Sequence, residues 1–93
     1  MQIYSDDFGR VIYLTVNPKE GRVDLQDLAP DFEYERCATV SDVAAVCKAF
    51  EINYDQLEER LLLMLEHQMT AIDLFTEFLE NNEIYFSYYS GSR

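Results

Sequence analysis

The stretch NYDQLEERLLLMLEHQMTAIDLFTEFLE, residues 53–80, decides how the chain is organised. Leu57, Leu61, Met64, Gln68, Ala71, Phe75 and Phe78 recur at alternating intervals of four and three, flanked by Leu62, Leu65, Met69, Ile72 and Leu79. That period is helical, and the apolar face is wide enough to lie on a sheet or in a bundle. Unbroken over 54–80, the helix would be roughly 40 Å long at 1.5 Å per residue, more than a domain of 93 residues can cover. Thr70-Ala71-Ile72-Asp73 has capping-box spacing, so a break is expected around residues 67–70. The other choice is a protruding helix that associates with a second copy. Asn53-Tyr54-Asp55-Gln56 marks the start of the run by the same spacing, and Asn81-Asn82 marks its end.

Upstream, Thr39-Val40-Ser41-Asp42 also fits a capping box, with Ser41 as another N-cap choice. Val43, Val46, Cys47 and Phe50 then follow on one helical face. The first quarter reads differently. Residues 1–5 and 10–16 are β-rich runs separated by Asp6-Asp7-Phe8-Gly9, and 17–21 form a Pro- and Gly-containing turn. Residues 22–25 alternate charge with Val23 and Leu25, as a third strand would. Residues 28–38 allow either a strand with acidic and aromatic faces (Asp31 to Glu35) or a loop. Residues 83–89 return to period two, with Ile84, Phe86 and Tyr88 opposite Tyr85, Ser87 and Tyr89, and 90–93 read as a frayed tail. The expected fold is one α+β domain over residues 1–93. An N-terminal antiparallel meander and a C-terminal strand form the sheet, with two or three helices packed on one face.

Charge restricts function more than pattern does. Eighteen Asp and Glu against seven Lys and Arg give −11; residues 1–22 are neutral, whereas 23–92 carry −12. After Arg60 no base appears before Arg93. Such a chain repels phosphate backbones and anionic membranes, so direct nucleic-acid or membrane binding is not expected. It favours a basic protein as partner. The longest apolar run, residues 61–65, is far short of a membrane span, and the start lacks the basic-then-apolar pattern of a secretory leader. Two cysteines ten apart suit neither a disulfide framework nor a zinc site, and read as small buried hydrophobes in a reducing cytoplasm.

Three features are candidates for function. Glu59, Glu66, Asp73 and Glu80 lie seven apart with Glu77 beside them. On one helix they form a carboxylate rail opposite the apolar stripe, and no Lys or Arg three or four residues away balances Glu66, Asp73, Glu77 or Glu80. The rail is either a solvated face or an anionic binding surface. Either Tyr85 and Tyr89 or Ile84, Phe86 and Tyr88 face away from the core on the last strand; Tyr85 and Tyr89 are the interface candidates if they are not packed across strands. Asp24, Asp27, Asp31, Glu33 and Glu35 form an acidic connection, but the calcium-loop spacing is absent, so no dedicated metal site and no cofactor are expected. His67, the single histidine, sits in no metal-protease motif and reads as a surface or edge residue, and no catalytic residues are assigned.

In size and charge the chain resembles small acidic inhibitors: immunity proteins of nuclease toxins, antitoxins and phage anti-defence proteins that mimic DNA charge. No motif is shared, so no residue role carries over. The expectation is a cytoplasmic, non-enzymatic inhibitor. It would occlude a basic nucleic-acid-binding surface through Glu59, Glu66, Asp73, Glu77, Glu80, Tyr85 and Tyr89. A self-assembling subunit, a homodimer seamed by the helix face from Leu61 to Phe78, and a metal-dependent enzyme using the acidic loop are the alternatives.

Overall fold

A computed structural model describes residues 1–17, 19–29 and 34–92. The sheet has five strands: β1 (Gln2–Ser5), β2 (Val11–Asn17), β3 (Arg22–Ala29), β4 (Tyr34–Val40) and β5 (Ser87–Ser92). They lie in sequence order, each antiparallel to the next. Between β4 and β5 run α1 (Val43–Phe50), a 3₁₀ turn (Tyr54–Gln56), α2 (Leu57–Leu65) and α3 (Ala71–Asn81). This is the expected α+β architecture, with the helices packed against the sheet.

The sheet is two-sided because side chains alternate along each strand. Ile12, Leu14, Val23, Leu25, Ala38 and Val40 point to the helices and are fully buried. From the helices, Val43, Val46, Leu57, Leu61, Leu65, Ala71, Ile72, Phe75 and Leu79 close on them. The stripe read from residues 57–79 is thus this domain's own core. Leu62, Met64 and Phe78 are only half-buried at its margin, and Met69 is exposed.

Boundaries moved where local chemistry competed. β3 runs four residues beyond the expected Leu25, since Asp27 and Ala29 continue its inward face. β4 takes Thr39 and Val40, so the α1 cap is Asp42, whose Oδ1 accepts from Ala45 N at 3.2 Å. At the next start the expected capping box of Asn53 and Gln56 is present, with Gln56 Oε1 accepting from Asn53 N at 3.0 Å. Thr70 does stand at the N-cap of α3, but its side chain makes no capping bond. The long stretch breaks over residues 66–70, as its length required. Residues 84–86 lie outside any strand, and the last strand begins only at Ser87. Ser90, Gly91 and Ser92, by contrast, belong to β5 and pair with Arg36, Glu35 and Tyr34, so they are not a frayed tail. Asp31, Phe32 and Glu33, and with them most of the acid–aromatic alternation, lie outside the described residues.

Each helix is followed by a non-glycine residue with positive φ: Glu51 at 59°, His67 at 64° and Glu83 at 55°. This left-handed geometry suits glycine, because a Cβ crowds the following carbonyl. Glu83 also places a carboxylate beside the negative end of α3, which is unfavourable. Glu83→Gly is therefore expected to raise stability by about 1 kcal/mol in urea titration, and Glu83→Ala by clearly less, since alanine keeps the backbone strain.

Candidate functional site

The expected carboxylates divide into two groups. Glu59 lies on α2, and Glu66 is that helix's C-terminal cap, with extended backbone at φ −62° and ψ 137°. Asp73, Glu77 and Glu80 lie on α3, at spacings of four and three that keep them on one face. All five are exposed. Because residues 66–70 interrupt the helix, the seven-residue spacing does not produce one straight rail. The acidic face consists of the α3 row plus two separate carboxylates.

Asp73 also has a counter-charge that lay outside its own helix. Arg36, from β4, donates from Nη1 to Asp73 Oδ1 at 3.1 Å and from Nη2 to Asp27 Oδ2 at 2.7 Å. Arg10 Nε approaches the other Asp27 oxygen at 3.4 Å. Asp27 is only 2% exposed, the one buried charged residue among those described. The signal was legible in principle: Val23, Leu25, Asp27 and Ala29 share one strand face, so an extended β3 turns Asp27 inward.

The described arginines are all engaged within the domain. Arg10 and Arg36 converge on Asp27, Arg22 pairs with Asp24 at 2.9 Å, and Arg60 stacks over the Phe50 ring at 5.0 Å from its centroid. Among the described residues, Glu59, Glu77 and Glu80 have no Lys or Arg partner within ion-pair distance. Glu66 meets only the imidazole of His67, at 3.3 Å. The carboxylates of Glu59, Glu77 and Glu80 are thus left facing solvent without basic partners among the described residues.

The tyrosines divide between the two sides of the sheet. Tyr85, in the connection after α3, is 80% exposed; Tyr88 and Tyr89, in β5, are 51% and 56% exposed. Ile84 is buried and Phe86 partly so, as expected, but Tyr88, expected on their side, is half exposed, and the strand itself starts only at Ser87. Tyr88 lies opposite Ala38, on the helix side of the sheet, whereas Tyr89 lies opposite Cys37 on the open side. Tyr85 and Tyr89 are the tyrosines expected from sequence to make contacts. The structure brings Tyr88 closer to the α3 carboxylates: Tyr88, Phe86, Thr76, Asp73 and Glu80 line one groove of about 210 Å³ between α3 and β5.

The remaining candidates separate from this surface. Asp24 and Glu35 are on the open face of the sheet, where Asp24 accepts from Thr39 Oγ1 at 2.7 Å and Glu35 from Gln26 Nε2 at 3.0 Å. Asp27 lies on the opposite face, so the acidic connection does not converge; Asp31 and Glu33 are outside the described residues. Among the described residues no three His, Cys, Asp or Glu side chains are arranged to hold a metal ion. Cys47 is buried in the core as expected. Cys37 is only half-buried on the open face, because its strand position turns it away from the helices. Burial pushes both thiols up from their ordinary pKa, which disfavours the reactive thiolate. His67 is exposed, and its backbone N–H donates to Ile3 O at 2.9 Å. No described helix is long and apolar enough to cross a membrane.

Compared with protein-family models, curated proteins and solved structures, the chain shows no match to any of them. The α+β class is defined by its own sheet order and helix packing.

Proposed function

We propose that this domain is an anionic binding module that occupies a basic, nucleic-acid-binding surface of a partner protein and acts as a stoichiometric inhibitor. The observation that carries the reading is the unbalanced exterior. Glu59, Glu77 and Glu80 lack Lys or Arg partners among the described residues, while Arg10 and Arg36 are turned onto a buried carboxylate. A surface of one sign attracts the opposite sign over about a Debye length and steers encounter. Exposed Tyr85 and Tyr88 add rigid, amphipathic contact area on the same side as the charge, the kind of residue that dominates interface energies. Phosphate and this face would compete for the same basic groups on the partner.

Competition supplies the test. The partner captured on the immobilised domain at low salt should be released by duplex DNA or RNA, because the two occupy one surface. A stable ternary complex of domain, partner and nucleic acid would contradict occlusion.

A further inference from the structure

The two edges of the sheet are treated differently. β1 has four residues and a register shift between Gln2 and Tyr4, and its outer side receives the His67 amide on Ile3 O. Short length, irregularity and a covering segment are the usual means of blocking an edge from pairing with another chain. β5, at the other edge, has six residues, Ser-Tyr-Tyr-Ser-Gly-Ser, with no charge, no proline and an unbroken register against β4. Among the described residues no backbone hydrogen bond reaches its outer side. Gly91 keeps the strand regular with help from Tyr89: a Cβ at Gly91 would meet the Tyr89 hydroxyl at 2.9 Å, so the ring lies along its own strand. Filling the space over an edge glycine with an aromatic ring supports strand geometry.

We infer that β5 is a docking edge for an extended basic segment of the partner, which adds to the sheet as a sixth strand. Main-chain hydrogen bonds would supply affinity, and alternate side chains would read the two faces. On the helix side, every second residue of the added strand runs along the groove of Asp73, Thr76, Glu80, Phe86 and Tyr88. A free carboxylate beside aromatic rings there suits lysine or arginine, whose stems lie on the rings while their charges meet Glu80. A second copy of this chain fits less well, because it would bring another −11 to the same edge. The inference rests on the anionic-module reading and specifies how the partner is held.

The test uses the whole domain and three short synthetic peptides: alternating Lys-Thr, alternating Lys-Pro of equal charge, and alternating Glu-Thr. Lys-Pro cannot form a strand ladder, since proline lacks the amide donor. Titration at low salt, followed by amide NMR, should show Lys-Thr shifting the Ser87–Ser92 amides and binding at least about tenfold tighter than Lys-Pro, with Glu-Thr not binding. Adjacent strand residues direct their amides to opposite sides, so of Tyr89→Pro and Ser90→Pro one disrupts pairing with β4 and the other only blocks the edge. The variant that keeps the wild-type melting temperature should bind Lys-Thr no better than Lys-Pro. Equal binding of Lys-Thr and Lys-Pro would overturn the edge mode while leaving a charge-driven surface. Shifts in β5 that grow with protein concentration alone would overturn it in favour of a second copy. Failure of every lysine peptide to bind would overturn it and count against the anionic module as well.

Discussion

Replacing Asp27 by alanine is expected to destabilise the domain by about 3–5 kcal/mol, because it leaves buried positive charge without its partner. Asp27 is 2% exposed, and the Arg36 side chain is 17% exposed. Arg36 reaches Asp27 at 2.7 Å and Asp73 at 3.1 Å, so it ties β3, β4 and α3 together at one guanidinium. With Asp27 gone, only the exposed carboxylate of Asp73 remains, and surface pairs contribute at most about 1 kcal/mol. Asp73→Ala should therefore cost far less than Asp27→Ala. Urea titration of both variants checks this. A loss below about 1 kcal/mol for Asp27→Ala would mean that both arginines reach water without the carboxylate.

Phe75→Ala should cost a similar amount, about 3–5 kcal/mol, through lost apolar burial and the cavity left behind. Phe75 is fully buried on α3, among the residues that close on the sheet. A domain of this length has only about 5–14 kcal/mol of stability in all, so the variant should be marginal or unfolded at room temperature. Leu63 supplies the contrast: it is 74% exposed on α2, and Leu63→Ala should change stability by no more than about 0.5 kcal/mol. Thermal melts monitored by circular dichroism separate the two. If they melted together, the long apolar stretch would not be the internal core.

That core was legible because periodicity is a property of consecutive residues. Leu57, Leu61 and Leu65 repeat every four residues, as do Ala71, Phe75 and Leu79, and the turn chemistry of residues 6–9 and 17–21 separates the first strands. Tertiary pairings were not legible. Nothing near Asp73 in sequence shows that Arg36, 37 residues away, will meet it. Nor does local sequence show that Ser90 and Gly91, which read as tail, are held by Arg36 and Glu35 across a strand pair. The carboxylate rail failed for a related reason. Its seven-residue spacing presumed one helix, and the length argument that required a break in that helix also removed the straight line. The surviving face, Asp73, Glu77 and Glu80 beside Tyr88, combines helix spacing with a β4–β5 pairing that only the fold provides.

The central claim is that uncompensated carboxylates, rather than composition in general, give this domain its partner. Affinity capture from the source cell at low salt tests it most directly, comparing the wild type with a variant carrying lysine at Glu59, Glu66, Glu77 and Glu80. Asp73 is left intact there because it holds Arg36. The wild type should retain a basic, nucleic-acid-binding protein that salt in the hundreds of millimolar releases, and the variant should lose it while keeping its fold. Equal capture of the same protein by both, insensitive to salt, would contradict the account.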